Sequence, residues 1–243
     1  WIGMLRPLNS EIFRFVSEAF HSLISPSICE VCQSRILELS SISKHICSVC
    51  EAEMPAFPDP NLVKNELFSN YSASELAISN AYALMRISSD HPWFRLIHAL
   101  KYDSMPGIGL ELGVLLGEEL AKRGAVGFTA VVPVPIHHAR LRERGFNQSD
   151  SIAKGIAQAT GAQFRPNIVF RSKYTTSQTK LSSSERKSNV SEVFVINPKL
   201  NDMPQHLLVV DDVLTTGATL NSVAMALLCG GAVRADAAAL VKA

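Results

Sequence analysis

The stretch from His206 to Leu220 reads H-L-L-V-V-D-D-V-L-T-T-G-A-T-L. Its first apolar block, Leu207, Leu208, Val209 and Val210, suits a strand buried on both faces of a parallel sheet. Asp211 and Asp212 follow at once, which predicts two carboxylates at the end of that strand, on the carboxyl edge where open α/β sheets bind ligands. Thr215, Thr216, Gly217, Ala218 and Thr219 come next, and Leu220, Val223, Ala224, Leu227 and Leu228 then recur at helical spacing. The stretch predicts a strand, a tight loop and a helix start. A helix N-terminus has unpaired N–H groups and a positive dipole end, so a small hydroxylated loop there is a phosphate cradle. The carboxylates would repel the same phosphate, and their natural partners are sugar hydroxyls, or Mg²⁺ through water. A phosphate beside a diol describes a ribose 5-phosphate. The plainer alternative is a buried strand that ends in a polar turn.

A second such arrangement lies upstream. Ala130 to Pro135 reads A-V-V-P-V-P, a buried strand that proline must end or bulge, because proline cannot donate to the ladder. Arg140, Arg142 and Arg144 follow beside Gly145, and helical spacing resumes from about Asn147 to Thr160. Strand, basic loop and helix start again predict an anion site, against the alternative of a solvated basic face. Further strands are expected at Ile78–Ile87 and Ala232–Val241. Helices are expected at His91–Leu100, ending in Lys101 and Tyr102, and at Ile108–Lys122, with Pro106 and Gly107 separating the two. Two short β-like runs, Ile168–Phe170 and Val193–Ile196, flank a segment rich in Ser, Thr, Lys and Arg. That segment is expected to be a mobile loop of a small flap rather than a merely disordered surface loop.

At the other end of the chain stand Cys29-x2-Cys32 and Cys47-x2-Cys50, with 14 residues between the pairs. A two-residue gap lets both thiolates of a knuckle face one ion, and two knuckles complete a closed tetrahedral Cys₄ site, which is structural zinc. Paired disulfides and a redox-active pair are the alternatives, disfavoured by a reducing compartment and by the doubling of the motif. Cys229 falls on the apolar helix after the signature and is expected in the core. Ahead of the knuckles, Leu5 to Ile24 has amphipathic helical spacing, read as packing on the zinc module. The breaker-rich stretch around Pro55, Pro58 and Pro60 reads as a linker. The domain reading is a helix and zinc module over 1–54, a linker over 55–75 and an α/β domain over 76–243.

The chain has 243 residues and net charge +1. Near-cancelling charge gives no ground for a nucleic-acid partner. The knuckles lack the basic and aromatic interleaving of a single-strand binder, so direct nucleic-acid binding is not favoured. No run approaches the roughly 18 apolar residues of a membrane span, and no secretory leader is evident. A cytoplasmic location is the expectation.

The block from Val209 to Thr219 resembles the signature of type I phosphoribosyltransferases. Together with the zinc knuckles, I-H-A-L-K-Y, P-V-P-I-H-H-A-R-L-R-E-R-G-F-N-Q and R-x-K-x-T-x2-Q-x2-L-x4-R-x2-N, the chain resembles the ComF family of phosphoribosyltransferase-like proteins from about Cys29 onward. The resemblance implies a type I phosphoribosyltransferase fold, a central parallel sheet flanked by helices with a small hood, plus an N-terminal Cys₄ zinc finger. It implies 5-phosphoribosyl-1-pyrophosphate as ligand, Mg²⁺ beside structural zinc, and a link to competence and DNA-uptake proteins. Asp211 and Asp212 then match the ribose and Mg²⁺ contacts, and Thr215, Thr216, Gly217, Ala218 and Thr219 the 5-phosphate loop. Arg140 and Arg144 match the pyrophosphate loop, Lys101 a basic family position, and Lys173, Gln178 and Arg186 the catalytic loop. The first carboxylate departs from the Glu-Asp of many relatives. Transfer to an unidentified acceptor and a non-catalytic donor-binding sensor or adaptor both fit the resemblance.

Overall fold

The computed structural model describes residues 27–72, 74–102, 105–125, 127–171 and 194–243. The amphipathic stretch at 5–24 and the residues Lys173, Gln178 and Arg186 lie outside them. The chain divides into two compact units, Trp1–Glu53 and Met54–Ala243.

In the first unit the two cysteine knuckles are held by isolated bridges, Ile28 with Arg35 and Leu39 with Cys47, and helix α1 (Ser48–Ala52) begins within the second knuckle, with Cys47 at its N-cap and Cys50 inside it. Gln33 takes a left-handed φ of 63° as the chain turns through the first knuckle, where its amide donates to the Cys29 carbonyl at 2.8 Å. Cys29, Val31, Ile46 and Cys50 are buried. Among the described residues of this unit, an apolar core this small cannot by itself offset the entropy of ordering residues 27–53.

The second unit is built on a five-stranded sheet. In chain order its elements are α2 (Pro60–Phe68), β1 (Ile78–Arg86), α3 (Phe94–Tyr102), α4 (Pro106–Lys122), β2 (Ala130–Pro133), α5 (His138–Arg144), α6 (Gln148–Thr160), β3 (Gln163–Phe164), β4 (Val169–Arg171), β5 (Phe194–Ile196), β6 (His206–Leu214), α7 (Ala218–Cys229) and β7 (Arg234–Lys242). The sheet order is β1-β7-β6-β2-β3, with every neighbouring pair parallel. The apolar block predicted from Leu207 to Val210 is fully buried in the middle of this sheet. On one face Leu207, Val209, Ala237 and Ala239 share a core with Val63 and Leu67 of α2 and Leu220, Val223 and Leu227 of α7. Helices α4 and α6 pack on each other, and α6 also lies against β2 and β6. Strands β4 and β5 form a separate antiparallel pair, the small hood, which joins the α7-side core through Ile168, Val169 and Phe194.

The structure differs from the sequence reading at five places. Strand β6 does not end at the acidic pair but runs on to Leu214, because β7 continues to pair with it as far as Leu214 and Lys242. The arginine stretch is not a loop but helix α5, opened by the His137 ring, which accepts the Ala139 amide, and closed by Gly145 at φ 78°. The stretch read as a linker holds helix α2, begun by Asp59, whose carboxylate accepts the Asn61 amide, with proline in the first turn. Helix α4 starts at Pro106 and not at Ile108, so Pro106 and Gly107 belong to its first turn, since a first-turn proline gives up an N–H that has no helical partner anyway. Cys229 is exposed at the end of α7, past the last buried turn at Leu227.

Candidate ribosyl-phosphate site

Strand β2 leaves the sheet earlier than β6 does. The Val134 amide still donates to the Val210 carbonyl at 2.8 Å, but Pro135 has no N–H to continue the ladder. Past Val210, β6 keeps β7 as its neighbour. A cleft of about 450 Å³ opens there, lined by Asp211, Asp212, Lys101, Arg140, Arg144, Arg171, Gln148, Ser149 and Thr219 among others.

The acidic pair is tightly held. Asp211 Oδ1 accepts from the Ser149 hydroxyl at 2.9 Å and from the Asp212 amide at 3.0 Å. Burial and the neighbouring Asp212 charge push the Asp211 carboxyl up to about 7, against the opposing pull of those two donors and of Lys101. Asp212 is buried and forms an ion pair with Lys101 Nζ at 3.1 Å. Lys101 reaches it from the last turn of α3, where a cation also complements the helix dipole.

The loop after β6 has the form of a cradle. Gly217 takes φ 79° as the N-cap of α7, and a Cβ there would collide with Leu67 of α2. Thr215, Thr216, Ala218 and Thr219 are exposed. The Ala218 amide donates to Thr216 Oγ1 at 3.4 Å, and the amides of Thr219 and Leu220 fall in the helix's first turn, where no intrahelical acceptor exists. Tyr71 hydrogen-bonds Thr216, and burial raises its phenol above the usual range.

Basic groups come from two further elements. Arg140 and Arg144 lie on α5, and the Arg144 guanidinium sits 5.1 Å from the centre of the Tyr102 ring. Arg171 ends β4 of the hood, with its guanidinium 5.7 Å from the Phe194 ring. Helix α6 contributes its first residues, and Asn147 at its N-cap donates to the Val134 carbonyl at 3.1 Å and to Asp150 at 2.7 Å. That pair of bonds ties the start of α6 to the end of β2. The lining thus balances four cations (Lys101, Arg140, Arg144, Arg171) against three carboxylates (Glu143, Asp211, Asp212).

Of the residues the sequence singled out, Asp211, Asp212, Lys101, Arg140, Arg144 and Thr219 share this one cleft. Thr215, Thr216, Gly217 and Ala218 form the adjoining loop. Sequence reading missed Ser149, Gln148, Arg171 and Tyr71. Gln148 stands in the quoted R-G-F-N-Q run and Arg171 opens the quoted R-x-K-x-T run matched to the catalytic loop, though neither was given a contact role, whereas nothing local distinguishes Ser149 or Tyr71.

In the first unit the ligand atoms of Cys29, Cys32, Cys47 and Cys50 all lie within 4.8 Å of one another. Zn–S bonds of about 2.3 Å in a tetrahedron place sulfurs about 3.8 Å apart, and Cys32 and Cys47 Sγ are separated by 3.9 Å. The Ser34 backbone amide lowers the Cys32 thiol to about 6, whereas burial pushes Cys50 up. The four thiols fit a structural zinc ion.

No protein-family model matches the chain. Competence protein F of Haemophilus influenzae is 30% identical over 189 residues, covering 73% of this chain and 82% of that protein. The chain belongs to the competence protein F family. DNA utilization protein YhgH of Escherichia coli, a further relative, is 35% identical over 145 residues, 58% of this chain and 63% of YhgH, so the match spans less than two thirds of that protein. Among solved structures, glutamine phosphoribosylpyrophosphate amidotransferase from B. subtilis overlaps 57% of the chain and 29% of its own, with 22% identity and a TM-score of 0.40. The central parallel sheet, flanking helices and Cys₄ cluster are the architecture that the sequence leads one to expect. Among the described residues no helix is long and apolar enough to cross a membrane.

Proposed function

We propose that the cleft binds 5-phosphoribosyl-1-pyrophosphate with Mg²⁺ and passes the phosphoribosyl group to an acceptor. One observation carries this reading: the acidic pair on β6 and the first turn of α7 face the same cleft as the arginines of α5. A diol, a monophosphate and a diphosphate each find a chemically matched partner there. Thr215, Thr216, Gly217, Ala218 and Thr219 hold the 5-phosphate, Asp211 and Asp212 orient the ribose hydroxyls, and Arg140 and Arg144 take the pyrophosphate.

As the bond from C1 to pyrophosphate breaks, positive charge develops on the ribose and negative charge on the leaving group. Fixed charges lower that barrier more than a covalent nucleophile would. Asp211 and Asp212 lie on the ribose side and the arginines stabilise the departing oxygens. Asp211 and Asp212 are also the groups that would hold Mg²⁺, by carboxylate and through water, and the ion supplies further charge neutralisation of the diphosphate. Lys101 occupies Asp212 at 3.1 Å, so cation binding requires the ammonium to turn toward the incoming phosphate. Lys173, Gln178 and Arg186 complete the site from the segment after β4.

Calorimetry of the full chain with the donor and Mg²⁺ tests the reading. Asp212→Asn should weaken binding by tenfold or more with the fold intact, since each charge-assisted hydrogen bond contributes about 1.5–3 kcal/mol. Wild-type affinity in that variant would sink the assignment. The printed names of the relatives concern competence and DNA utilization, which favours a second reading, a donor-binding adaptor that contacts DNA-uptake proteins. Pyrophosphate release with a panel of nucleobases separates the two: tight donor binding without release on any acceptor supports the adaptor.

A further inference from the structure

The loop that opens α7 does not hold itself. Its N-cap is Gly217, which has no side chain to bond the first-turn amides, and Thr215, Thr216, Ala218 and Thr219 are exposed. What fixes it arrives from the end of α2 and from residues 69–77, which connect α2 to β1. Leu67 fills the space that any side chain at Gly217 would occupy, and is itself fully buried. Tyr71 packs against the same core and hydrogen-bonds Thr216. Asn221, in the second turn of α7 and only 8% exposed, grips the connection with both ends of its amide. Its Oδ1 accepts the Ala77 amide at 2.7 Å, and its Nδ2 donates to the Glu75 carbonyl at 2.7 Å. Just before that grip the chain turns tightly: the Ser72 hydroxyl donates to the Glu75 carboxylate at 2.8 Å, and the Glu75 amide to the Ser72 carbonyl at 3.0 Å. A single buried side chain thus ties the entry of β1 to the helix whose first turn faces the cleft.

We infer that Tyr71 and Asn221 are positioning residues, which act through the 69–77 connection to hold the loop 215–219 in the shape that receives a phosphate. The inference rests on the donor reading above for the identity of the ligand. It brings part of the stretch read from the sequence as a linker into the build of the cleft. It also divides the work within the loop. A threonine hydroxyl has one hydrogen to donate and two lone pairs to accept with, and that of Thr216 is engaged by Tyr71 and by the Ala218 amide at 3.4 Å. The Thr216 side chain therefore supports the loop, and a phosphate meets the hydroxyls of Thr215 and Thr219 and the unpaired amides of the first turn. Glycine loses more conformational freedom on ordering than any other residue. A loop already ordered around Gly217 does not pay that entropy when the ligand arrives, so the clamp acts on affinity.

The test uses the zinc-loaded full chain and two readouts. Hydrogen-exchange mass spectrometry without ligand should show faster exchange at 215–220 in Tyr71→Phe and in Asn221→Ala, with β2 and α6 protected as in the wild type. Calorimetry with ribose 5-phosphate should show affinity lowered about threefold in Tyr71→Phe, which loses one neutral hydrogen bond, and about tenfold in Asn221→Ala, which loses two. If Tyr71 acts through Thr216, then Tyr71→Phe costs nothing further in a Thr216→Val chain, an outcome that a general loss of stability does not produce. Wild-type exchange at 215–220 in either variant, or additive losses of affinity for the Tyr71 and Thr216 pair, would overturn the inference. Should Asn221→Ala not fold, Tyr71→Phe and its pairing with Thr216→Val decide. The donor reading fails separately. Faster exchange in the variants, with neither ribose 5-phosphate nor the donor bound by the wild type, would remove the donor reading and leave the clamp. Donor binding by the wild type, with exchange unchanged in the variants, would remove the clamp and leave the donor reading.

Discussion

At the scale of single residues, the balance of charge around Asp211 and Asp212 decides what the cleft can hold. Lys101 and Asp212 are mostly withdrawn from water, with side-chain exposures of 25% and 12%. Removing one member leaves the other charge uncompensated, whereas removing both does not. Lys101→Met should therefore destabilise the protein by about 1–3 kcal/mol, and Asp212→Asn in the same chain should recover much of that loss. Urea denaturation of both single variants and the double variant measures the coupling, and additive losses would show that the pair contributes nothing. Asp211 makes a second prediction, for metal-free protein. Its carboxyl is pushed up to about 7, from 3.8, by burial and the Asp212 charge. The folded state therefore holds this proton more tightly than the unfolded chain, so its contribution to stability is greatest below pH 4 and declines as pH rises to about 7. Asp211→Asn keeps an oxygen for the Ser149 and Asp212 donors and should flatten that part of the stability–pH curve. An unchanged slope between those limits would refute the assignment.

At the scale of elements, the close approach of α4 and α6 sets where the first turn of α6 meets the cleft. Glycines make that approach possible: a Cβ on Gly155 would lie 2.6 Å from the Val114 amide nitrogen and would also strike the Leu110 carbonyl, and one on Gly113 would strike the Ile152 carbonyl. Backbone atoms cannot rotate aside as a side chain does, so Gly155→Ala should cost at least the 1–3 kcal/mol typical of overpacking. The loss would appear as a lowered denaturation midpoint, and a neutral effect would mean that the helices are free to separate. None of these contacts is visible in the sequence, where the glycines of α4 read only as weak helix formers. The central strand was legible because burial on both faces demands an unbroken apolar run, and Leu207–Val210 supplies one. Its continuation through Asp211 to Leu214 was not, because what carries it is pairing with β7, the next strand, and no local apolar run marks that pairing. Helix α5 was hidden for a similar reason: its arginines have no apolar face to betray a period, and none of its residues is buried. Arg171 opens the run that the sequence matches to the catalytic loop, yet it closes a strand whose partner is Phe194.

At the scale of the whole molecule, the two units are stabilised by different means. Met54–Ala243 buries a sheet between helices, and its core includes long side chains such as Leu84, Met85, Ile97 and Ile152 at full burial. Among the described residues of the cysteine unit, Val31 and Ile46 are the buried apolar side chains apart from the cysteines, too little to order residues 27–53 without a cross-link. The thiol spacing was legible because a knuckle is a local pattern. Metal should thus govern one unit and not the other. Protein purified under reducing conditions should carry about one zinc per chain. A strong chelator should remove it and abolish amide-exchange protection across residues 27–53, leaving β6 and β7 protected. Hydrogen-exchange mass spectrometry with parallel metal analysis resolves the two regions. Protection of 27–53 that survives full loss of zinc would show that the apolar contacts suffice, and loss of protection in β6 would show that the sheet depends on the metal as well. Cys32→Ser should mimic the chelator, because a hydroxyl at that position removes one of four thiolates whose combined charge holds the ion.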